Sequence, residues 1–308
     1  MLKQRKLLVP AIIIYAILAA ILVVTAVSPS FDLSVSEFLT GGRIMPAPAS
    51  YSIANTLEIW AEPVTLLPMC FILAMAVICC VRVKRGKIYT ATGLVLAAGG
   101  AVLSDQVVYR IVKYYCKLGD ITAPWVYSEG PFASSKLWVK GVCAVAGVAM
   151  FALFLFIASK IKGDIYKITG KVIALCVISL IAELVIISGI KLVWGRMRFR
   201  EYIQTGEGFT AWYLPQFRVI HDGYKSFPSG HTANALLILP ITFFFDALGK
   251  RKAGVAARIC HLVWMLVIMT SRIMAGAHYL SDVTAGALIT FTIVIIAAEI
   301  IFRPKKQA

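Results

Sequence analysis

ITGKVIALCVISLIAELVIISGIK, residues 168–191, decides the fold. Between Lys171 and Lys191 a single ionisable residue, Glu183, interrupts an otherwise apolar run. The apolar positions are continuous rather than alternating, which argues against a half-buried strand or a membrane β-barrel. A run of about 20 apolar residues matches the hydrocarbon thickness of a bilayer. Lipid offers backbone N–H and C=O groups no partners, so a helix is the default form of such a run.

Working outward, similar runs recur at about 8–27, 62–82, 89–112, 139–160, 231–248, 254–275 and 280–302, which makes eight expected spans. Asp105 and Arg110 make the third the least apolar of them. The whole chain agrees: 308 residues, 60% hydrophobic, 15% charged, with a mean hydropathy of +0.83. Soluble domains lie nearer half apolar and a quarter charged, so a water-soluble enzyme is excluded, and so is a disordered chain. The expected fold is all-α, a polytopic integral membrane helix bundle of about eight transmembrane helices forming one membrane domain over residues 1–308.

The formal charge of +16 has two readings, nucleic-acid binding or membrane topology. The cations decide between them. One side of the alternating map carries Lys3, Arg5 and Lys6, then Arg82, Lys84, Arg85 and Lys87. Lys160, Lys162, Lys167 and Lys171 follow on that side, then Lys250, Arg251, Lys252 and Arg258, and finally Arg303, Lys305 and Lys306. Short basic loops mark the cytoplasmic face, so both termini are expected there. These flanks hold 18 of the 31 cations and, of the acids, only Asp164 and Asp246, so they account for the entire excess. No nucleic-acid partner is expected. The basic start also fits a signal peptide, but the run over 8–27 is long for one and is read as the first span.

The seven cysteines carry no CxxC spacing, and all but Cys116 lie in apolar runs, so neither a disulfide framework nor a metal site is expected. One internal echo stands out. Gly86-Lys87-Ile88-Tyr89-Thr90-Ala91-Thr92-Gly93 matches Gly163-Asp164-Ile165-Tyr166-Lys167-Ile168-Thr169-Gly170 at five of eight positions. Each octet enters a span in which an acid precedes a lysine by eight residues, Asp105/Lys113 and Glu183/Lys191. Duplication of a helical hairpin would explain the echo.

Three polar clusters fall in the last two loops on the face opposite the basic flanks. In the first, Lys191-Leu192-Val193-Trp194-Gly195-Arg196-Met197-Arg198-Phe199, a continuing helix would put Lys191 and Arg198 on one face, two turns apart. Two convergent cations suit an anion, and arginine grips phosphate oxygens bidentately. Basic anchoring of a helix end is the plainer reading of this cluster alone. The same phase directs Arg196 and Arg200 away, toward headgroups or the interface.

The second cluster, Phe227-Pro228-Ser229-Gly230-His231-Thr232, precedes an apolar run. A helix starting at Ser229-Gly230 favours an anion through its N–H groups and dipole, and His231 can carry a proton for a leaving group. The third, Ser271-Arg272 followed by His278 and Asp282, places a carboxylate four residues after an imidazole. On one helix the carboxylate would hold one ring N–H and leave the other nitrogen free to attack.

Lys-x6-Arg, then Pro-Ser-Gly-His, then Ser-Arg-x5-His-x3-Asp, in that order, resembles the type 2 phosphatidic acid phosphatase superfamily, also called the lipid phosphate phosphatases. The resemblance covers about residues 168–302, the catalytic half, while Phe31-Asp32-Leu33 is only loosely similar to the family's start. It implies a membrane phosphatase that hydrolyses lipid phosphate or diphosphate esters on the extracytoplasmic face. In that reading His278 is the nucleophile that forms a phosphohistidine, Asp282 orients it, and His231 protonates the leaving oxygen. Lys191, Arg198, Arg272, Ser229 and Gly230 hold the phosphoryl oxygens. Three fixed cations supply the charge that a metal supplies elsewhere, so no metal and no cofactor is expected. The expected partners are a lipid phosphate substrate and membrane lipids, and no protein partner is implied.

Two departures from the family pattern stand out. The proline usual after the first-cluster arginine is Phe199 here, and the family's usual six spans are eight, for which a duplicated hairpin over about 86–165 would account. Rival functions are a lipid phosphotransferase using the same intermediate, or a non-enzymatic transporter or scaffold with a degenerate site. His261 reads as a packed core residue and His221 as an exposed one. Asp105 and Glu183 read as structural, with Asp105–Arg110 as a candidate pair. The aromatic-rich loop 200–228 is expected to lie over the site and select the headgroup.

Overall fold

A computed structural model describes residues 5–41, 53–83, 86–119, 133–218 and 221–303. Prolines and glycines punctuate the apolar runs. α1 (Arg5–Val27) ends before Ser28, and Pro29 starts α2 (Pro29–Thr40), which stops at the left-handed Gly41. α3 (Ile53–Ala61) gives way to α4 (Pro63–Val83), again with proline in the first helical position. α5 (Gly86–Gly119), α6 (Leu137–Lys160) and α7 (Gly163–Trp194) are long helices, and the two echoing octets open α5 and α7. The short α8 (Phe199–Thr205) follows, then a 3-10 turn (Asp222–Tyr224), α9 (Gly230–Leu236), α10 (Ile238–Ala247), α11 (Arg251–Met274) and α12 (Leu280–Phe302).

The described residues form helices and no strand, and seven helical stretches are long and apolar enough to cross a membrane. These are Pro10–Val27, Thr56–Arg82, Gly86–Cys116, Leu137–Lys160, Gly163–Thr205, Arg251–Met274 and Leu280–Phe302. The run 231–248, expected as one further span, is helical as two consecutive helices, α9 and α10, interrupted at Leu237, and the bundle agrees with the expected number of about eight spans. Pro240 has no N–H to give to the carbonyl of Leu236, which removes the hydrogen bond that would continue the helix.

The chain divides into two compact units. One comprises Ser50–Leu180, Pro240–Gly254 and Ala297–Ala308. Within it α4, α5 and α6 pack pairwise. α6 approaches α5 so closely at Gly147 that a Cβ there would lie 2.5 Å from the Asp105 Cα. Small residues at such crossings let backbones meet where lipid supplies no hydrophobic drive. Arg110 pairs with Glu62, in the turn between α3 and α4, not with Asp105 as its spacing suggested. Arg82 donates to the carbonyls of Ser159 (2.7 Å) and Ile161 (2.8 Å) and so closes the end of α6.

The other unit comprises Met1–Ala49, Ile181–Leu239 and Val255–Ile296. Its core is built from Leu18 of α1, Leu236 of α9, Met265, Met269 and Ile273 of α11, and Val283, Ala287 and Phe291 of α12. His261 is buried on α11, as its apolar surroundings implied. All three motif clusters lie in this unit.

Candidate active site

α7 carries Lys191 in its last turn and ends at Trp194. Gly195 takes a φ of 73°. A Cβ there would lie 2.7 Å from the Arg218 carbonyl oxygen, so glycine alone fits. The helix therefore does not continue through Arg198, and the helical phase assigned to Lys191, Arg196 and Arg198 fails. Arg198 instead caps α8 with an extended backbone (φ −74°, ψ 151°), and Phe199 opens that helix. This first helical position is the one in which proline is well tolerated, because its N–H has no intrahelical partner. The Phe199 ring is buried against Tyr279, with centroids 5.8 Å apart.

The Arg198 N–H donates to the Gly223 carbonyl (2.8 Å), and its guanidinium pairs with Asp222 at 3.1 Å. Lys191 Nζ donates to the Lys225 carbonyl at 3.0 Å. Both cations are thus fixed by the segment that leads into the second motif.

That segment is pinned from two sides. Ser226 N–H donates to the Arg196 carbonyl (3.0 Å) and Ser229 N–H to the Asp282 carbonyl (2.9 Å). The Phe227–Pro228 peptide is cis. Ser229 caps α9, its Oγ accepting from Thr232 Oγ1 at 3.1 Å. Gly286 of α12 leaves no room for a Cβ, which would run into the Ser229 carbonyl oxygen. Gly230 lies against the Lys191 side chain, and the half-buried His231 is the second residue of α9. The Phe227 ring is stacked between Trp194 (4.7 Å) and Trp212 (5.9 Å), and Trp194 Nε1 donates to the Trp212 carbonyl at 2.8 Å.

The third motif sits where α11 meets α12. Arg272, in the last turn of α11, is fully buried, and its carbonyl accepts from Ala277 N–H at 3.1 Å. His278 precedes α12 and is 2% exposed; Asp282, in the first turn, is wholly buried. Asp282 Oδ2 lies 3.7 Å from His278 Nδ1, a contact longer than a hydrogen bond. Burial pushes the His278 pKa down from its ordinary value to about 3, with Lys191 and Arg198 adding to the shift and Asp282 opposing it. The imidazole is therefore neutral at physiological pH. A proton on Nδ1, facing the carboxylate, leaves the Nε2 lone pair for an electrophile.

Two residues given no part in the site by the sequence reading, Arg196 within the first cluster and Asp32, complete the arrangement. Arg196 is fully buried rather than turned to headgroups. Its Nη1 donates to Asp282 Oδ1 (2.6 Å) and Ser281 Oγ (2.7 Å), Nη2 to Asp32 Oδ2 (2.8 Å), and Nε to the Thr210 carbonyl (2.9 Å). The guanidinium lies over the Tyr279 ring at 4.2 Å, and burial raises the pKa of that phenol. Asp32 of α2 also accepts from Ser281 N–H at 2.8 Å and from Ser281 Oγ. The remaining Asp282 oxygen accepts from Ser226 Oγ (2.5 Å) and Tyr279 N–H (2.9 Å). An acid just beyond the first span was the available sign of this network, since charges at such depth need partners.

The structure thus brings Lys191, Arg198, Ser229, Gly230, His278 and Asp282 to one end of a helix cluster, with His231 next to Gly230 on α9 and Arg272 in the last turn of α11. His221 is exposed, its Nδ1 accepting from Gly223 N–H at 3.1 Å. Among the described residues no three His, Cys, Asp or Glu side chains are grouped to hold a metal ion.

Residues 171–306 match the model of a protein family described as the PAP2 superfamily. No curated protein and no solved structure matches the chain.

Proposed function

We propose, from the match of residues 171–306 to the PAP2 superfamily, that the protein hydrolyses lipid phosphate or diphosphate esters through a phosphohistidine on His278. One observation carries the reading: a buried, neutral imidazole with a carboxylate behind it and the fields of Lys191 and Arg198 upon it. His278 Nε2 attacks phosphorus and the ester P–O bond breaks, while His231 gives its proton to the leaving oxygen. Water then attacks phosphorus while His231 takes its proton, the Nε2–P bond breaks with its electron pair returning to His278, and phosphate departs.

Lys191, Arg198, Arg272 and the Ser229–Gly230 turn bind the phosphoryl oxygens. Their fixed positive charge stabilises the charge that builds on those oxygens, so the reaction needs no metal. Basic flanks on the opposite loops support a site on the extracytoplasmic face with both termini in the cytoplasm. A site at the ends of membrane helices, with Phe227 stacked between Trp194 and Trp212 next to the Ser229–Gly230 turn, suits a substrate with an apolar tail, with the 200–228 loop selecting the headgroup.

The test is phosphate release by purified protein from a panel of lipid and sugar phosphates, with EDTA present and no acceptor lipid. Release from lipid phosphates that is lost in His278→Ala is the expected result. A His278→Ala protein of undiminished activity would overturn the catalytic assignment, and activity abolished by EDTA would overturn the metal-free mechanism.

A further inference from the structure

We propose that Asp32 is a positioning residue for phosphoryl transfer, acting through Arg196 on the Asp282–His278 pair. The inference rests on the function proposed above and deepens it. Asp282 alone, beside a neutral imidazole, would stabilise the positive charge that the ring acquires on attack. It is not alone. Arg196 sits at 2.6 Å, and one guanidinium against one carboxylate makes a pair of no net charge, which weakens the field of Asp282 at His278.

Asp32 restores that charge. It meets the other arm of the same guanidinium at 2.8 Å, and all three side chains are 0–1% exposed. Two carboxylates and one guanidinium sum to a single negative charge, confined where solvent screens it little. When the Nε2–phosphorus bond forms and the P–O bond to the leaving group breaks, the ring keeps its Nδ1 proton and becomes a cation. The buried cluster then becomes neutral at the moment the imidazole becomes charged. Both arms of the guanidinium are used, which a lysine could not imitate.

The second contribution is geometric. Asp32 accepts from Ser281 N–H (2.8 Å) and from Ser281 Oγ, and Ser281 also accepts from Arg196 (2.7 Å). A carboxylate of α2 therefore holds the first turn of α12, from which Asp282 projects. Catalytic geometry at His278 depends on a helix placed about 250 positions earlier in the chain.

Asp32→Asn keeps the shape and removes the charge. In the full-length protein in lipid nanodiscs, kcat for phosphate release is expected to fall roughly 10–100-fold. KM and the inhibition constant of inorganic phosphate, which read the cation cradle, are expected to stay within about twofold. An unchanged kcat overturns the inference, and so does a joint loss of kcat, KM and phosphate affinity, which marks a merely structural residue. If Asp32→Asn does not fold, Asp32→Glu replaces it. Restored charge should hold kcat within about tenfold of wild type, and a larger loss overturns the inference. His278→Ala runs alongside: if it matches wild type, the proposed function fails. If it is inactive while Asp32→Asn keeps the wild-type kcat, only the Asp32 inference fails.

Discussion

Arg196→Met tests the buried network by stability rather than rate. Methionine fills much of the same volume but withdraws a cation that touches Asp32, Asp282, Ser281 and the Thr210 carbonyl. Two buried carboxylates, held together by that cation, are left facing each other. Removing one partner of a buried ion pair costs about 3–5 kcal/mol, because the remaining charge is uncompensated. At about 1.4 kcal/mol per tenfold, the folded-to-unfolded ratio drops by roughly two to four orders of magnitude. Protonation of one carboxylate limits the loss, so it should shrink in acidic buffer. The assay is SDS titration in mixed micelles followed by tryptophan fluorescence, with Trp194 and Trp212 stacked on Phe227 as reporters near the site. Arg196→Lys, which retains charge but not the two-armed fork, should lie between the two proteins. An Arg196→Met protein within about 0.5 kcal/mol of wild type would behave as a surface substitution, and the buried network would be refuted.

Gly286→Ala places a Cβ against the Ser229 carbonyl oxygen and pushes the turn proposed to bind phosphate out of line. A displacement near 1 Å costs kcat/KM about 100-fold, whereas Gly170→Ala, with open space around its Cβ, should be neutral; equal activities would refute the contact. For pH, a His278 pKa lowered to about 3 means that the nucleophilic form persists on acidification and is lost only as pH falls toward that value. Corrected for substrate ionisation, the phosphohistidine labelling rate should hold from pH 7 to about pH 5. An imidazole with the ordinary pKa of about 6.5 would lose roughly thirtyfold at pH 5, and that result would contradict the burial argument.

The spans were legible because a transmembrane helix announces itself locally, by about 20 consecutive apolar residues. Pro240 could be read in the sequence, yet its effect could not, since prolines occur within membrane helices such as α1 and α4 without ending them. Gly195 is harder still. Its left-handed turn is imposed where Arg218 closes on it, a contact between distant residues. Without that stop the helix extrapolates through Arg198, and the phase rule then sends Arg196 outward when the chain in fact turns it inward. The Glu62–Arg110 pair was missed for the same reason, its members lying 48 residues apart.

The candidate site was legible as far as its chemistry is local. Pro-Ser-Gly-His makes a helix start, and His278 and Asp282 are four residues apart across another. What holds them is not local, because Asp32 meets Arg196 across 164 positions and no spacing rule reaches so far. Two arginines only two residues apart then divide the work. Arg196, fully buried between carboxylates, is locked by bonds that no anion from solvent can replace. Arg198 is 16% exposed and its partner Asp222 is 72% exposed. Only the carboxylate of this pair lies largely in solvent, so it is the partner that the phosphate group proposed above displaces. The left-handed turn at Gly195, which ends α7, separates the cation that holds Asp282 from the one proposed to meet the substrate.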